Sequence, residues 1–470
     1  MTKRKFKFVE EFGGQGETPA SSPAMIQTEH YGRRLMHKIA KIVYERVVTK
    51  QRKTFVDKKT KRMVEGETVE LVTYIEKMGA EGGWIEKRGN LSTDPESSAW
   101  VEAGGKVCGD AFVSDDAIVR GEVGDRAKVS GSAKVNGWVG EDANVSGGAE
   151  VDKDAQVLGH ATVMGKVKGS AKVYGEAEVG KDASVEGNAQ VGGKSKVFKT
   201  VRGSVQIFGQ AIVYGTVEGE AAVGGETIVQ EKGVVKGSAK VMSGIISGTV
   251  EGNAKIGIGG DGCGIPMIGD GAVIRDDSEV EKCSCFIGGS VTGNAKVSGN
   301  ATIGESGLLV AKSEADGNST VRGKVSEETK VYGNAEIEGS VSGSSTITDG
   351  VVIERGGSVA DSKVSGSALV MGIVEGDGQV SGGVLITEGG TVSRSQAEGN
   401  AKIAGASKGV VSGNAMVLSE SDSGAGDNSV TKNKDLYGSG NQVLDKKGDD
   451  IQPDSEDSKV EVAVVCKVEN

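Results

Sequence analysis

The chain has 470 residues and a formal charge of −11; aromatics make up only 4% of it, and it holds 76 glycines but 5 prolines. So few aromatics exclude an ordinary large core, so little proline excludes collagen-like or Pro-rich chains, and no run of 18 apolar residues offers a membrane span. No apolar segment near the start reads as a signal peptide, and the five scattered cysteines (Cys108, Cys263, Cys283, Cys285 and Cys466) argue for a reducing compartment rather than a disulfide scaffold.

Charge is unevenly distributed. Residues 1–62 hold 16 Lys or Arg against 6 Asp or Glu, a surplus of ten, so the remainder carries −21. A basic head on an acidic body reads as a docking end on a solvated shaft. No nucleic-acid-binding motif accompanies the basic residues, so a nucleic-acid partner is not expected.

Residues 1–28 read as a flexible basic arm with Gly13, Gly14, Gly16, Pro19 and Pro23. Residues 29–82 read as a small α+β docking segment. From Tyr31 to Thr49, Leu35, Met36, Ile39, Ile42, Val43 and Val47 fall at spacings that predict an amphipathic helix, although the β-branched residues also permit strands. Val64 to Ile75 alternates as a strand, and Gly79, Gly82 and Gly83 then break the chain.

Residues 83–417 carry the main signal. Valines recur every six residues at Val101, Val107, Val113 and Val119, then from Val139 to Val163 and from Val167 to Val197. Small residues lie between them, as in Val129-Ser-Gly131-Ser-Ala133-Lys-Val135. Ala and Val, two apart, point to one side of a short strand, while Gly, Asn and Asp suit corners that need positive φ. Four-residue steps interrupt the hexads at Val119 to Val123, Val135 to Val139, Val163 to Val167, Val197 to Val201 and Val213 to Val217. Coils of 16 to 18 residues with three sides, one of them variable, account for this, and propeller blades do not. The fold class predicted is therefore all-β, a long single-chain parallel β-helix. About 19 coils at roughly 4.8 Å each would make a rod on the order of 90 Å. Regularity weakens between Gly257 and Gly289 and between Leu308 and Asp316, where wider coils or excursions are expected. Residues 418–458 read as a linker, and 459–470 as a C-terminal strand that caps the last coil.

The stretch Gly82-Gly-Trp-Ile-Glu-Lys-Arg-Gly-Asn-Leu-Ser92, followed by Ala99-Trp-Val101 and the Gly-x-Ala-x-Val repeats, resembles a family of phage and prophage β-helix proteins. Those proteins are often labelled transferases because their repeats resemble the hexapeptide acyltransferase repeat. The resemblance spans roughly residues 60–250. It implies a left-handed helix and a phage context.

The function expected is a non-enzymatic structural rod of a virion, such as a fibre, whisker, collar, decoration or tail-associated protein. Its basic N-terminal segment would dock to the virion or another assembly, and the chain would be homo-oligomeric. One alternative is a hexapeptide-type acyltransferase, which needs a histidine base. His30, His37 and His160 are the only histidines, and His160, alone in the repeats, reads as a corner residue. A second alternative is a self-assembling scaffold resembling bactofilins. No catalytic, cofactor-binding or metal-binding residue is assigned. Gly257-Ile-Gly-Gly-Asp-Gly262 lacks the Lys-Ser/Thr of a phosphate loop, and Cys283-Ser-Cys285 lacks a second ligand pair, so buried cysteines are expected there. Trp84, Trp100, Trp138, Tyr174, Tyr214 and Tyr332 are candidates for stacking on a host surface glycan if the fold aligns them, with the three tyrosines pointing outward after a valine.

Overall fold

A β-branched side chain every six residues forms a core only if each one stacks on its equivalent in the next turn, and the strand pairing does this throughout. The computed structural model describes residues 24–386 apart from 32–33, 57–62, 153, 259–263, 282–283 and 377–378, and beyond 386 only short strands as far as Leu418. The linker and C-terminal strand expected after 418 lie outside the described residues. Within the described residues the protein is all-β, a three-faced parallel β-helix, with one short 3-10 turn at Arg88–Asn90. Two units are distinguished, Met1–Gly193 and Lys194–Asn470.

The first unit opens with three antiparallel strands, β1 (Ala24–Tyr31), β2 (Arg34–Val56) and β3 (Met63–Ile85). The helix expected over Tyr31–Thr49 is therefore a strand, and the segment is not α+β. Ile42, Val43, Val47 and Val48 lose side-chain freedom in a helix, and β2 finds a partner along nearly its whole length, with Val48 opposite Val72. Residues 24–28, expected in the flexible arm, belong to β1. Nor do Gly82 and Gly83 break the chain. They lie inside β3 where it crosses onto the first coil, and a Cβ on Gly82 would meet the Trp100 ring and Ile39. Met36, Ile39, Ala40 and Ile85 are buried at this end. Asn90 is buried too; its amide donates to Gly109 O (3.1 Å) and Ala111 O (2.8 Å) and accepts from Lys87 N (2.8 Å).

Three ladders then run through the unit. Face I pairs Ile85 with Val107, then Val123, Val139, Val157, Val173 and Val191. Face II runs Val113, Val129, Val145, Val163, Val179, and face III runs Val101, Val119, Val135, Val151, Val167, Val185. Every one of these valines is fully buried, as are Ala111, Ala127 and Ala143 at the corners two residues before Val113, Val129 and Val145. Outward residues donate to the next turn, as in Lys128 N to Ala143 O (2.9 Å) and Ser130 N to Val145 O (2.9 Å).

The second unit repeats the three ladders with larger residues among the inward ones: face I includes Val223, Val241 and Ile256, face II Val213, Val229, Ile246, Ile268 and Ile287, and face III Val201, Val217, Val235, Val250, Ile274, Val291 and Leu309. Ser or Thr takes many alanine positions. The hydroxyl is tolerated in the interior because a carbonyl three residues back accepts it: Ser278 Oγ donates to Arg275 O (2.7 Å), Ser313 Oγ to Val310 O (2.6 Å) and Ser345 Oγ to Ser342 O (2.7 Å). The stretch 308–316, expected to be irregular, keeps strict register. Leu309 and Ala315 occupy ordinary inward positions, so only residue type departs from the pattern. Around Gly257–Gly289 the spacing does widen, as expected: Ile268 follows Ile256 by twelve positions and Ile287 follows Val280 by seven, against the usual six.

The variable side is not one side. Val119 to Val123 and Val135 to Val139 turn from face III to face I, whereas Val163 to Val167, Val213 to Val217 and Ile246 to Val250 turn from face II to face III. These short corners share the pattern V/I-x-G-x-V, with Gly121, Gly137, Gly165, Gly215 and Gly248 at the centre. A Cβ on any of them would collide with carbonyl oxygens of the following turn. At Val197 to Val201 the centre is Lys199, which nothing in the structure explains. Elsewhere the corners use positive φ, mostly at glycine but also at Asp115, Asp125, Asp276, Asp349 and Asp361, and at Glu141, Ala311 and Glu327. Among the described residues asparagine sits in corner turns, as at Asn318 and Asn334, but takes none of the positive-φ positions. Asp is favoured because its carboxylate accepts an amide of an adjoining turn, as Asp115 Oδ2 does from Gly131 N (2.8 Å).

Two stability measurements follow. Gly137→Ala should lower unfolding stability by at least about 2 kcal/mol, because the obstructing atoms are backbone. Gly148→Ala, with open space around its Cβ, should be neutral or slightly stabilising in the same urea titration. Ser319, buried with a hydroxyl that lacks a partner, should gain about 1 kcal/mol on replacement by Ala, whereas Ser313→Ala should lose stability.

Candidate interaction surface

Each strand offers two outward positions, one before and one after its buried residue. Because coils stack in register, any residue type repeated every third strand becomes a row along the solenoid. The surface chemistry is therefore a set of rows.

Face III carries charge rows. In the first unit Arg120 bonds Glu102 (2.6 and 3.0 Å) and Lys166 pairs with Glu150 (3.7 Å). In the second, Arg202 pairs with Glu218 (2.9 Å) and Lys236 with Glu251 (2.7 Å). The hydrogen bond from Arg120 holds the Glu102 carboxyl below its ordinary range, and that to Glu251 raises Lys236. These pairs suit stacked, solvated turns: like charges directly above one another would repel.

His160 lies at a corner of the first unit with its side chain 71% exposed, Nδ1 3.9 Å from Asp142 Oδ2. Asp142 is already held by Arg126 through two bonds (2.6 and 2.5 Å), which keep its carboxyl low. Arg126, Asp142 and His160 thus form another surface row.

The aromatic residues do not share a face. Trp84, Trp138 and Tyr174 lie on face I of the first unit and Trp100 on its face III, whereas Tyr332 lies on face I and Tyr214 on face II of the second unit. Tyr174 and Tyr214 are exposed, each in the outward position after its valine. Tyr174 lies where a side chain on Gly192 would otherwise stand. The Tyr332 hydroxyl donates to Glu314 (3.0 Å); burial and that carboxylate push its pKa up to about 12.

Of the cysteines, Cys108 is buried and free. Cys285 is buried as expected, but in a disulfide; Cys263, Cys283 and Cys466 lie outside the described residues. The expectation of reduced cysteines is corrected at this position, and the disulfide removes the thiolate that Cys285 would have supplied to a metal. Most of the glycine-rich stretch, residues 259–262, also lies outside the described residues.

The most distinctive row escaped the sequence reading. On face II of the second unit the outward residues of five consecutive turns are Ile212, Ile228, Ile245, Met267 and Phe286, each paired in register with the next. Met267 is 48% exposed and Phe286 40%. Phe198 and Tyr214 stack beside the row, centroids 5.0 Å apart and planes within 10°. After Thr302, Thr320 and Glu336 the row turns apolar again at Val352, Leu369 and Leu385. The signal was present in the residue before each inward one, but it emerges only when every third hexad is read together.

No helix among the described residues is long and apolar enough to cross a membrane. No family model and no curated protein matches this chain.

The raised Tyr332 group gives a pH test. Its contribution to stability is whole below about pH 10, where the unfolded tyrosine ionises, and is lost as pH climbs toward 12. Tyr332→Phe should flatten the alkaline decline of stability above pH 10 in denaturant titrations; an unchanged slope would refute the assignment.

Proposed function

We propose that the chain is a non-enzymatic structural rod, a component of a phage virion that is anchored through its N-terminal segment. One observation carries the reading: the N-terminal hairpin is built into the solenoid. β3 continues face I by pairing Trp84 with Lys106 and Ile85 with Val107, through Trp84 N to Gly105 O (2.9 Å) and Glu86 N to Val107 O (2.9 Å). Arg34 on β2 adds contacts to Glu86 (3.8 Å) and Asp125 (3.9 Å). A load taken at such a hairpin passes directly into a hydrogen-bonded sheet, which is what an anchored projection needs. The phage context rests on the likeness of the Gly82–Ser92 lead-in and its repeats to phage β-helix proteins.

The same hairpin weighs against end-to-end stacking of bactofilin type at this end, because β3 occupies the sheet edge that a second solenoid would have to pair with. The acyltransferase alternative rests on His160, and its corner position beside a committed Arg126–Asp142 pair supports a surface role.

Immunogold labelling of purified phage particles with antibody against residues 83–386 should decorate the virion. Particles free of label, with the protein found only in the lysate, would overturn the virion reading.

A further inference from the structure

We infer that face II of the second unit is the contact between two copies of this chain, packed side by side, parallel and in register. The inference deepens the structural-rod reading and rests on it for its biological sense, though its test is separate.

The fold does not require the apolar row. The interior is closed by the inward residues, and the matching outward positions on face I of the same unit are charged, at Lys240, Lys255, Glu279 and Lys296. Eight of the eleven successive outward positions from Ile212 to Leu385 are nonetheless apolar. Ten steps of about 4.8 Å make a strip of roughly 48 Å, and a width of about four residues gives on the order of 600 Å². That approaches the roughly 800 Å² each partner contributes to a standard stable interface.

The spacing of the rows selects the partner. Side chains repeating at about 4.8 Å interlock with another surface of the same repeat, whereas a helix, with turns about 5.4 Å apart, falls half a row out of step after roughly four rows. A second copy matches over the whole strip. Its direction follows from the pattern. In parallel register every apolar row meets itself. In the reversed arrangement that sets Ile212 against Leu385, Met267 would face Glu336 and Phe286 would face Thr320. The polar middle does not oppose the parallel arrangement, because Arg322 already pairs with Glu336 and lies 3.6 Å from Glu338 within one chain.

Sedimentation equilibrium of the full chain at micromolar concentration should show a dimer. Ile228→Lys combined with Met267→Lys should weaken dimerisation about tenfold or more, with the circular dichroism and urea midpoint of the monomer preserved. Tyr174→Lys, on an exposed row of the first unit, should leave the association unchanged. Met267→Cys should give a disulfide-linked dimer under mild oxidation, above the background of the unmodified chain, because in parallel register this residue faces its own copy. A monomeric native chain, a dimer indifferent to the two lysines, or no added cross-link at position 267 would each overturn the inference. Label on virions with a monomeric chain would leave the rod reading standing without it, and a dimer absent from virions would do the reverse.

Discussion

Everything in this protein depends on one constraint: the backbone of each coil is satisfied by the coils above and below it. Strands only two residues long have almost no stability of their own. They persist because Lys128 N, Ser130 N and their equivalents each find a carbonyl one turn on, and because a valine or isoleucine sits on another of its kind. The interior can therefore be thin. It needs no aromatic residue, which is why a chain of 470 residues makes do with so few.

The same constraint rules the corners. A turn may be four or six residues long, but it must return to register, so length lost at one corner has to be absorbed by close approach. Gly121 and Gly137 permit this on one edge, and Gly215 and Gly248 on another. Where a corner adopts positive φ at an aspartate, the carboxylate also takes up an amide of an adjoining turn, so conformational cost and hydrogen bonding are settled by one residue.

The period of six and the small-large alternation reported the all-β solenoid plainly, since both follow from stacking and both are local. What stayed hidden was relational. The strand character of Arg34–Val56 was masked because Leu35, Met36, Ile39 and Ile42 fit a helical spacing as well as a strand, and the deciding factor was a partner strand about thirty residues away. The shift of the short corner between edges was hidden because step lengths do not say which face a valine belongs to. The apolar row from Ile212 to Phe286 was hidden for the same reason: its members are 16 to 22 residues apart and each looks unremarkable beside its own neighbours. Conversely, Leu309 and Ala315 looked like a disruption, although their spacing was intact.

The hairpin that closes the first coil has a consequence for how the molecule comes into being. A solenoid has no obvious place to begin, since any isolated turn lacks the neighbour that would hold it. Here β2 and β3 pair over some twenty residues before the first turn is made, and β3 ends as a ready edge for Lys106 and Val107. On a ribosome that edge is complete while the rest is unsynthesised, so each emerging coil meets a finished template only about 17 residues behind it. A zipper growing from that edge would need only a short loop closure at every step and no long search.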